Sequence, residues 1–111
     1  MTDSEQQATC EAHDVAFVPP LPDQLVAISP RVLDGRSEGA GVRYGDMTES
    51  GWIVFAPEVE EDVSDFIGIH ASHLRDTHPE IHRYLALPVG WRFAVPSDEA
   101  WFDPEVAETA R

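Results

Sequence analysis

Four histidines, His70, His73, His78 and His82, fall within thirteen residues. His78 and His82 are four apart, the spacing that sets two imidazoles on one helical face where a divalent metal takes nitrogen ligands. Asp76 and Glu80 would complete such a site. The geometry works against it. His78 precedes Pro79 and is placed to cap a helix rather than ride on it, and no HExxH pattern occurs. The histidines read as solvent-facing positions of helix and loop. No metal site and no cofactor is assigned.

Nucleophilic catalysis needs a serine, threonine or cysteine activated by a base. The serines here fall at turn and cap positions, where capping accounts for them. There is no GxSxG, GxGxxG or phosphate-loop pattern. The single cysteine, Cys10, lies in a polar stretch beside Glu11 and Asp14, which would raise a thiol pKa rather than lower it. One cysteine permits no disulfide within the chain, which fits a reducing compartment. Carboxylate pairs are abundant, but 21 acids among 111 residues produce pairs by chance. The chain reads as a non-enzyme, with a metal-dependent hydrolase as the lesser alternative.

What remains is charge. The 21 acids face 7 basic residues, all of them arginine, for a net charge of −14. Such a surface repels nucleic-acid phosphates and anionic membranes and attracts cations and basic proteins. The acids are densest just after an apolar run. Trp52-Ile53-Val54-Phe55 leads through one proline into Glu58, Glu60, Glu61, Asp62 and Asp65. Those five carboxylates, with Trp101 set among Asp98, Glu99 and Asp103, are the candidate partner-binding residues. An aromatic among acids suits a basic partner. The alternative is a charge run that only confers solubility.

The elements that position these groups are short. Residues 1–23 read as a flexible tail, acidic and then proline-rich through Pro19, Pro20 and Pro22. Residues 24–104 form one α+β domain, and 105–111 a frayed C-terminus. Leu25 to Ile28 suggests a brief strand. Ser29 as cap, Pro30 at the first position and Gly35 as stop frame a short helix. Residues 42–44 and 51–55 suggest strands, the second apolar on both faces and therefore central. Residues 66–71 suggest a strand containing Gly68. Ser72 and His78 are placed to cap two helices, the second with Ile81, Tyr84 and Leu85 on one face. In 88–96, Trp91, Phe93 and Val95 alternate with Arg92 and Ala94, a strand with one buried face. Residues 100–102 add a short edge strand. The sum is a mainly antiparallel sheet of four or five strands with two or three helices packed on it. No signal peptide and no apolar stretch of bilayer length is present, so a cytoplasmic location is expected.

The order of these segments resembles the bacterial immunity protein thirty-three family. The matching positions are Ser29 and Val32-Leu33, then Ser50-Gly51-Trp52 with Phe55, then the acids Glu60 to Asp62. Asp65, Phe66, Gly68 and Ile69 follow, then Pro79-Glu80-Ile81 and Pro88-Val89-Gly90. The resemblance spans about residues 25 to 95; His78 stands where the family pattern has an aspartate, and Tyr44 where it has tryptophan. It implies a small α+β protein that binds and neutralises a cognate toxin by stoichiometric occlusion. A basic toxin would be steered to the acidic surface. A regulatory or scaffold domain with another protein partner is the alternative.

Overall fold

The computed structural model describes residues 2–109 apart from 36, 46–49, 61, 96 and 98. Its strands are β1 (Leu25–Ile28), β2 (Gly39–Arg43), β3 (Trp52–Phe55), β4 (Ile67–His70), β5 (Trp91–Val95) and β6 (Glu99–Phe102). They form one sheet in the order β4-β1-β3-β2-β5-β6. Five short helices are α1 (Thr2–Ala12), α2 (Pro30–Leu33), α3 (Ala71–Thr77), α4 (Pro79–His82) and α5 (Pro104–Thr109). The α+β class agrees with expectation, with one more strand and more helices among the described residues. The sheet is mixed: β1 and β3 run parallel, Ala27 opposite Ile53, and the other four pairings are antiparallel.

The parallel pair has a topological cause. The chain leaves β1 through α2 and starts β2 two strand positions away, leaving a gap. The β2–β3 hairpin then folds back into the gap. Residues 56–66 repeat the move, carrying the chain from β3 past β1 to the edge position of β4. Residues 71–90 next cross the sheet from β4 to β5, and most of the helical layer comes from this segment.

The core lies between that layer and one sheet face. Register puts Val26, Ile28, Trp52, Val54, Phe93 and Val95 on this face, against Val32, Leu74, Ile81, Leu85 and Leu87. Tyr84 stacks on Phe93 with ring centroids 4.9 Å apart. The Phe93 ring lies directly over Gly41, where a Cβ would come within 2.1 Å of it. The opposite face of β3 is less covered than its apolar sequence predicts. Ile53 and Phe55 are half-buried there, while Trp52 and Val54 are fully buried.

Local capping follows the sequence in part. Ser29 Oγ accepts from the Arg31 N–H at the start of α2, and Pro30 is the first helical residue. Gly35 follows the Asp34 C-cap with φ of 72°. Ser72, expected as a cap, lies inside α3, which begins at Ala71; its N–H donates to Pro22 O at 3.1 Å. His78 does occupy the N-cap of α4, but its side chain makes no cap bond.

The largest departure is in residues 1–23. Thr2–Ala12 is helical and sets Gln6, Thr9 and Cys10 inside. This buried face follows helical spacing, but two of its three residues are polar, so it leaves no hydrophobic signature. The polar groups are satisfied in place. Gln6 Nε2 donates to His82 O at 2.9 Å, and Thr9 Oγ1 donates to Glu5 O at 2.9 Å. The proline segment is tied down by Val18 N–H on Ala86 O at 2.8 Å. At the other terminus, residues 104–109 form α5 with Val106 buried, where a frayed end was expected.

Cys10 is 2% exposed and belongs to the core cluster. Burial pushes its thiol above the ordinary value; the nearby Arg43 charge and a hydrogen bond with the Val18 main chain oppose this in part. Only the thiolate reacts readily. Native protein at neutral pH is therefore expected to resist a thiol-labelling reagent, while denatured protein labels at once. Fast labelling of the native state would contradict this placement. No helix among the described residues is long and apolar enough to cross a membrane.

Candidate protein-binding surface

Strand direction decides which loops meet. β1, β3 and β5 finish, and β2, β4 and β6 begin, at the same end of the sheet. Two of the three strand-skipping connections, 29–38 and 56–66, lie at this end, and skipping a strand requires them to be long. They carry Asp34, Glu38, Glu58, Glu60, Asp62 and Asp65, and Glu99 opens β6 beside them. All seven are exposed. Arg31 is the described basic residue in the same connections. The sequence run Glu58 to Asp65 thus becomes part of a wider acidic end that linear spacing does not reveal. Glu61 and Asp98 lie outside the described residues.

Asp62 has a local task as well. Its Oδ1 accepts from the Ser64 N–H at 3.0 Å and its carbonyl from the Asp65 N–H at 2.9 Å, which starts a single 3-10 turn at Val63–Asp65. The Ser64 N–H, then the Ser64 hydroxyl, hold its carboxyl below the usual range. The carboxylate is fixed in direction as well as ionised.

Trp101 is 42% exposed on β6, on the sheet face away from the helices. From β3 to β6 is three strand spacings, about 14 Å. Its surroundings differ from the ring of acids expected. Arg92, directly opposite on β5, places its guanidinium 6.0 Å from the indole centroid. Arg92 Nη1 donates to Asp103 Oδ2 at 3.1 Å. Asp103 also caps α5, its Oδ1 accepting from the Glu105 N–H at 3.0 Å. The Arg92 bond is the main reason that its carboxyl sits below the usual range, with the Glu105 and Val106 N–H groups adding to it. A carboxylate with a depressed folded pKa adds stability above its unfolded value, about 3.9, and loses it as pH falls through the folded value. Asp103→Asn, which keeps the cap, is therefore expected to narrow the stability difference between pH 6 and pH 3. Urea midpoints at the two pH values measure it; an unchanged difference would refute the pairing.

The histidines disperse. His70 and His73 are exposed at the start of α3. His78 directs Nε2 to Leu33 O at 3.2 Å and Nδ1 to Thr77 Oγ1 at 2.9 Å. His82 faces Gln6 of α1, with their side-chain nitrogens 3.3 Å apart. Among the described residues no group of three or more His, Cys, Asp or Glu side chains is arranged to hold a metal ion. A cleft of about 360 Å³ beside His78, lined also by Glu38, Glu80 and Arg83, opens at the acidic end.

The family model of the Imm33-like domain matches residues 5–103, from the first turns of α1 to the residue after β6. The chain belongs to the Imm33-like family. Comparison with curated proteins and with solved structures returned no match. The match reaches further than the resemblance read from residues 25 to 95, and it takes in both α1 and β6.

The structure gives the segments of this Imm33-like domain physical content. Ser50 Oγ donates to Leu25 O at 2.7 Å and accepts from the Trp52 N–H at 3.2 Å, locking the start of β3 to β1. Gly51 has φ of 81°, and a Cβ there would lie 2.2 Å from Tyr44 O, so the turn demands glycine. Trp52 Nε1 donates to Leu85 O at 2.8 Å, joining sheet to helical layer. At Gly68 a Cβ would come within 3.2 Å of the Leu25 side chain. Pro79 opens α4, and Pro88 accepts the Trp91 N–H across the turn that holds Gly90. Phe55 is half-buried on the open sheet face.

One central residue gives no sequence signal. Arg43, buried on β2, donates through Nε to Ser50 O at 3.0 Å. Its Nη1 donates to Leu87 O at 2.8 Å, to Leu85 O at 3.3 Å and to Val18 O. The guanidinium also lies 5.7 Å from the Trp52 ring centroid. An arginine at the end of a strand ordinarily reads as solvent-facing.

Proposed function

We propose that this Imm33-like domain is an immunity protein that binds a cognate protein toxin one-to-one and occludes its working surface without catalysis. The observation that carries the reading is the gathering of seven exposed carboxylates at one end of a rigid sheet, in a chain of this family. The contact set is Glu58, Glu60, Glu61, Asp62 and Asp65 with Trp101, widened by Asp34, Glu38 and Glu99. Toxins that act on nucleic acids need cationic surfaces for phosphate. An acidic inhibitor is steered to such a surface and screens it. The site of action is the cytoplasm, where the producing cell needs protection.

The test is co-purification with the product of the adjacent gene, followed by titration at two salt concentrations. Tight one-to-one binding that weakens with salt and abolishes a toxic activity is expected. Binding that ignores salt would remove the acidic end from the mechanism, and no binding would remove the reading.

A further inference from the structure

The sheet ends in an open strand whose two flanks are aromatic. The Asp103 N–H donates to Gly90 O at 2.8 Å, so the main chain at residue 103 faces β5, although the Gly90 N–H itself goes to Arg43 O at 3.0 Å. Antiparallel pairs alternate. Arg92–Trp101 and Ala94–Glu99 are then hydrogen-bonded, while Trp91–Phe102 and Phe93–Ala100 are not. The main-chain N–H and C=O of Ala100 and Phe102 therefore point away from β5, and among the described residues β6 has no further strand beside it. Trp101, 42% exposed, stands on one side of this edge and Phe102, 48% exposed, on the other. Edge strands are ordinarily guarded by lysine, proline or a covering loop. The chain has no lysine, and β6 carries only Glu99 at its first position. The opposite edge, β4, has a glycine at its second position and no Trp, Tyr or Phe.

We infer that β6 receives an extended basic segment of a protein partner as a seventh strand of the sheet. This rests on the inhibitor reading and specifies its mode of contact. Main-chain bonds to Ala100 and Phe102 supply the docking, as in other strand-addition complexes. Side chains supply the selection. On the open sheet face the incoming strand meets Glu99 and the indole of Trp101, which favour Lys or Arg. On the other face it meets Phe102, which favours an apolar residue. The partner segment therefore alternates basic and apolar. A second copy of this chain fits the edge poorly, because each copy carries a net charge of −14.

The experiment uses the full chain, labelled with ¹⁵N, and a capped ten-residue peptide alternating Arg and Val. Expected are amide shifts concentrated at Ala100 and Phe102. Ala100→Pro removes an outward N–H and leaves the ladder to β5 intact, so it is expected to weaken binding at least tenfold. A peptide N-methylated on alternate residues, which blocks one edge of the strand, gives the same reading without altering the protein; one of its two methylation patterns should abolish binding. No shifts at β6, or equal binding by Ala100→Pro and by both methylated peptides, would overturn the inference. A dimer of the free chain that Ala100→Pro dissociates would overturn the choice of occupant. The two readings separate with the adjacent gene product. If it binds wild type and Ala100→Pro alike, the edge inference fails and the inhibitor reading survives. If it does not bind while the peptide docks on β6, the inhibitor reading fails and the edge remains a site for a basic strand.

Discussion

Trp52→Ala is expected to cost about 3–5 kcal/mol, the range for removing a large buried aromatic. A domain of this size has about 5–15 kcal/mol in all, so the variant should be near the limit of folding. The side chain is 1% exposed. It packs on Phe93 at 5.4 Å between centroids, lies beside the Arg43 guanidinium, and donates to Leu85 O. The alanine variant loses all three. Trp52→Phe separates the contributions, keeping most of the packing and losing the N–H, and should cost about 1–2 kcal/mol. Urea denaturation of the three proteins measures both steps. A loss under about 1 kcal/mol for Trp52→Ala would mean that the sheet and helical layer do not depend on this joint.

The second large effect is on association. Glu58, Glu60 and Asp65 are exposed, and changing all three to Lys takes the net charge from −14 to −8. Asp62 is left alone because it holds the 3-10 turn. Electrostatic steering changes association rates by about 10- to 1,000-fold. The triple variant is expected to associate with a basic toxin about 10- to 100-fold more slowly at low salt, with a flatter salt dependence. Its stability should stay within about 0.5 kcal/mol of wild type, as for exposed positions away from structural contacts. Stopped-flow association at several salt concentrations tests this. An unchanged rate would place the toxin contact elsewhere on the molecule.

The readable parts of this fold are those whose cause is local. Ser29 and Pro30 start α2, Pro79 starts α4, and the alternation of Trp91, Phe93 and Val95 marks a strand with one buried face. Each of these depends on neighbours a few residues away. The parallel pairing of β1 with β3 was not readable, since it depends on where a hairpin inserts. Helix α1 was missed because its buried face is Gln6, Thr9 and Cys10, and polar residues whose partners are a distant carbonyl, as for Gln6, or a carbonyl one turn back, as for Thr9, look like a solvated segment. Arg43 was missed for the same reason; its acceptors come from residues 18, 50, 85 and 87. At the candidate surface, the acids of residues 58–65 are visible as a charge run. That Asp34, Glu38 and Glu99 join them follows only from strand direction. The exposure of Trp101 was legible from its place among Asp98, Glu99 and Asp103, but the Arg92 that backs it was not.

Arg43 has a consequence for how the molecule opens. One guanidinium binds carbonyls from the segment before β1, from the turn before β3 and from the segment before β5. Detaching any one of them strands part of a buried cation, and a buried charge left without partners costs several kcal/mol. These three pieces of chain should therefore come apart together rather than fray one by one. In native-state hydrogen exchange, the amides of Val18, Trp52 and Leu87 should share one opening energy, close to that of global unfolding. The stretch between α1 and β1, irregular and rich in proline, would then belong to the most slowly exchanging unit of the protein.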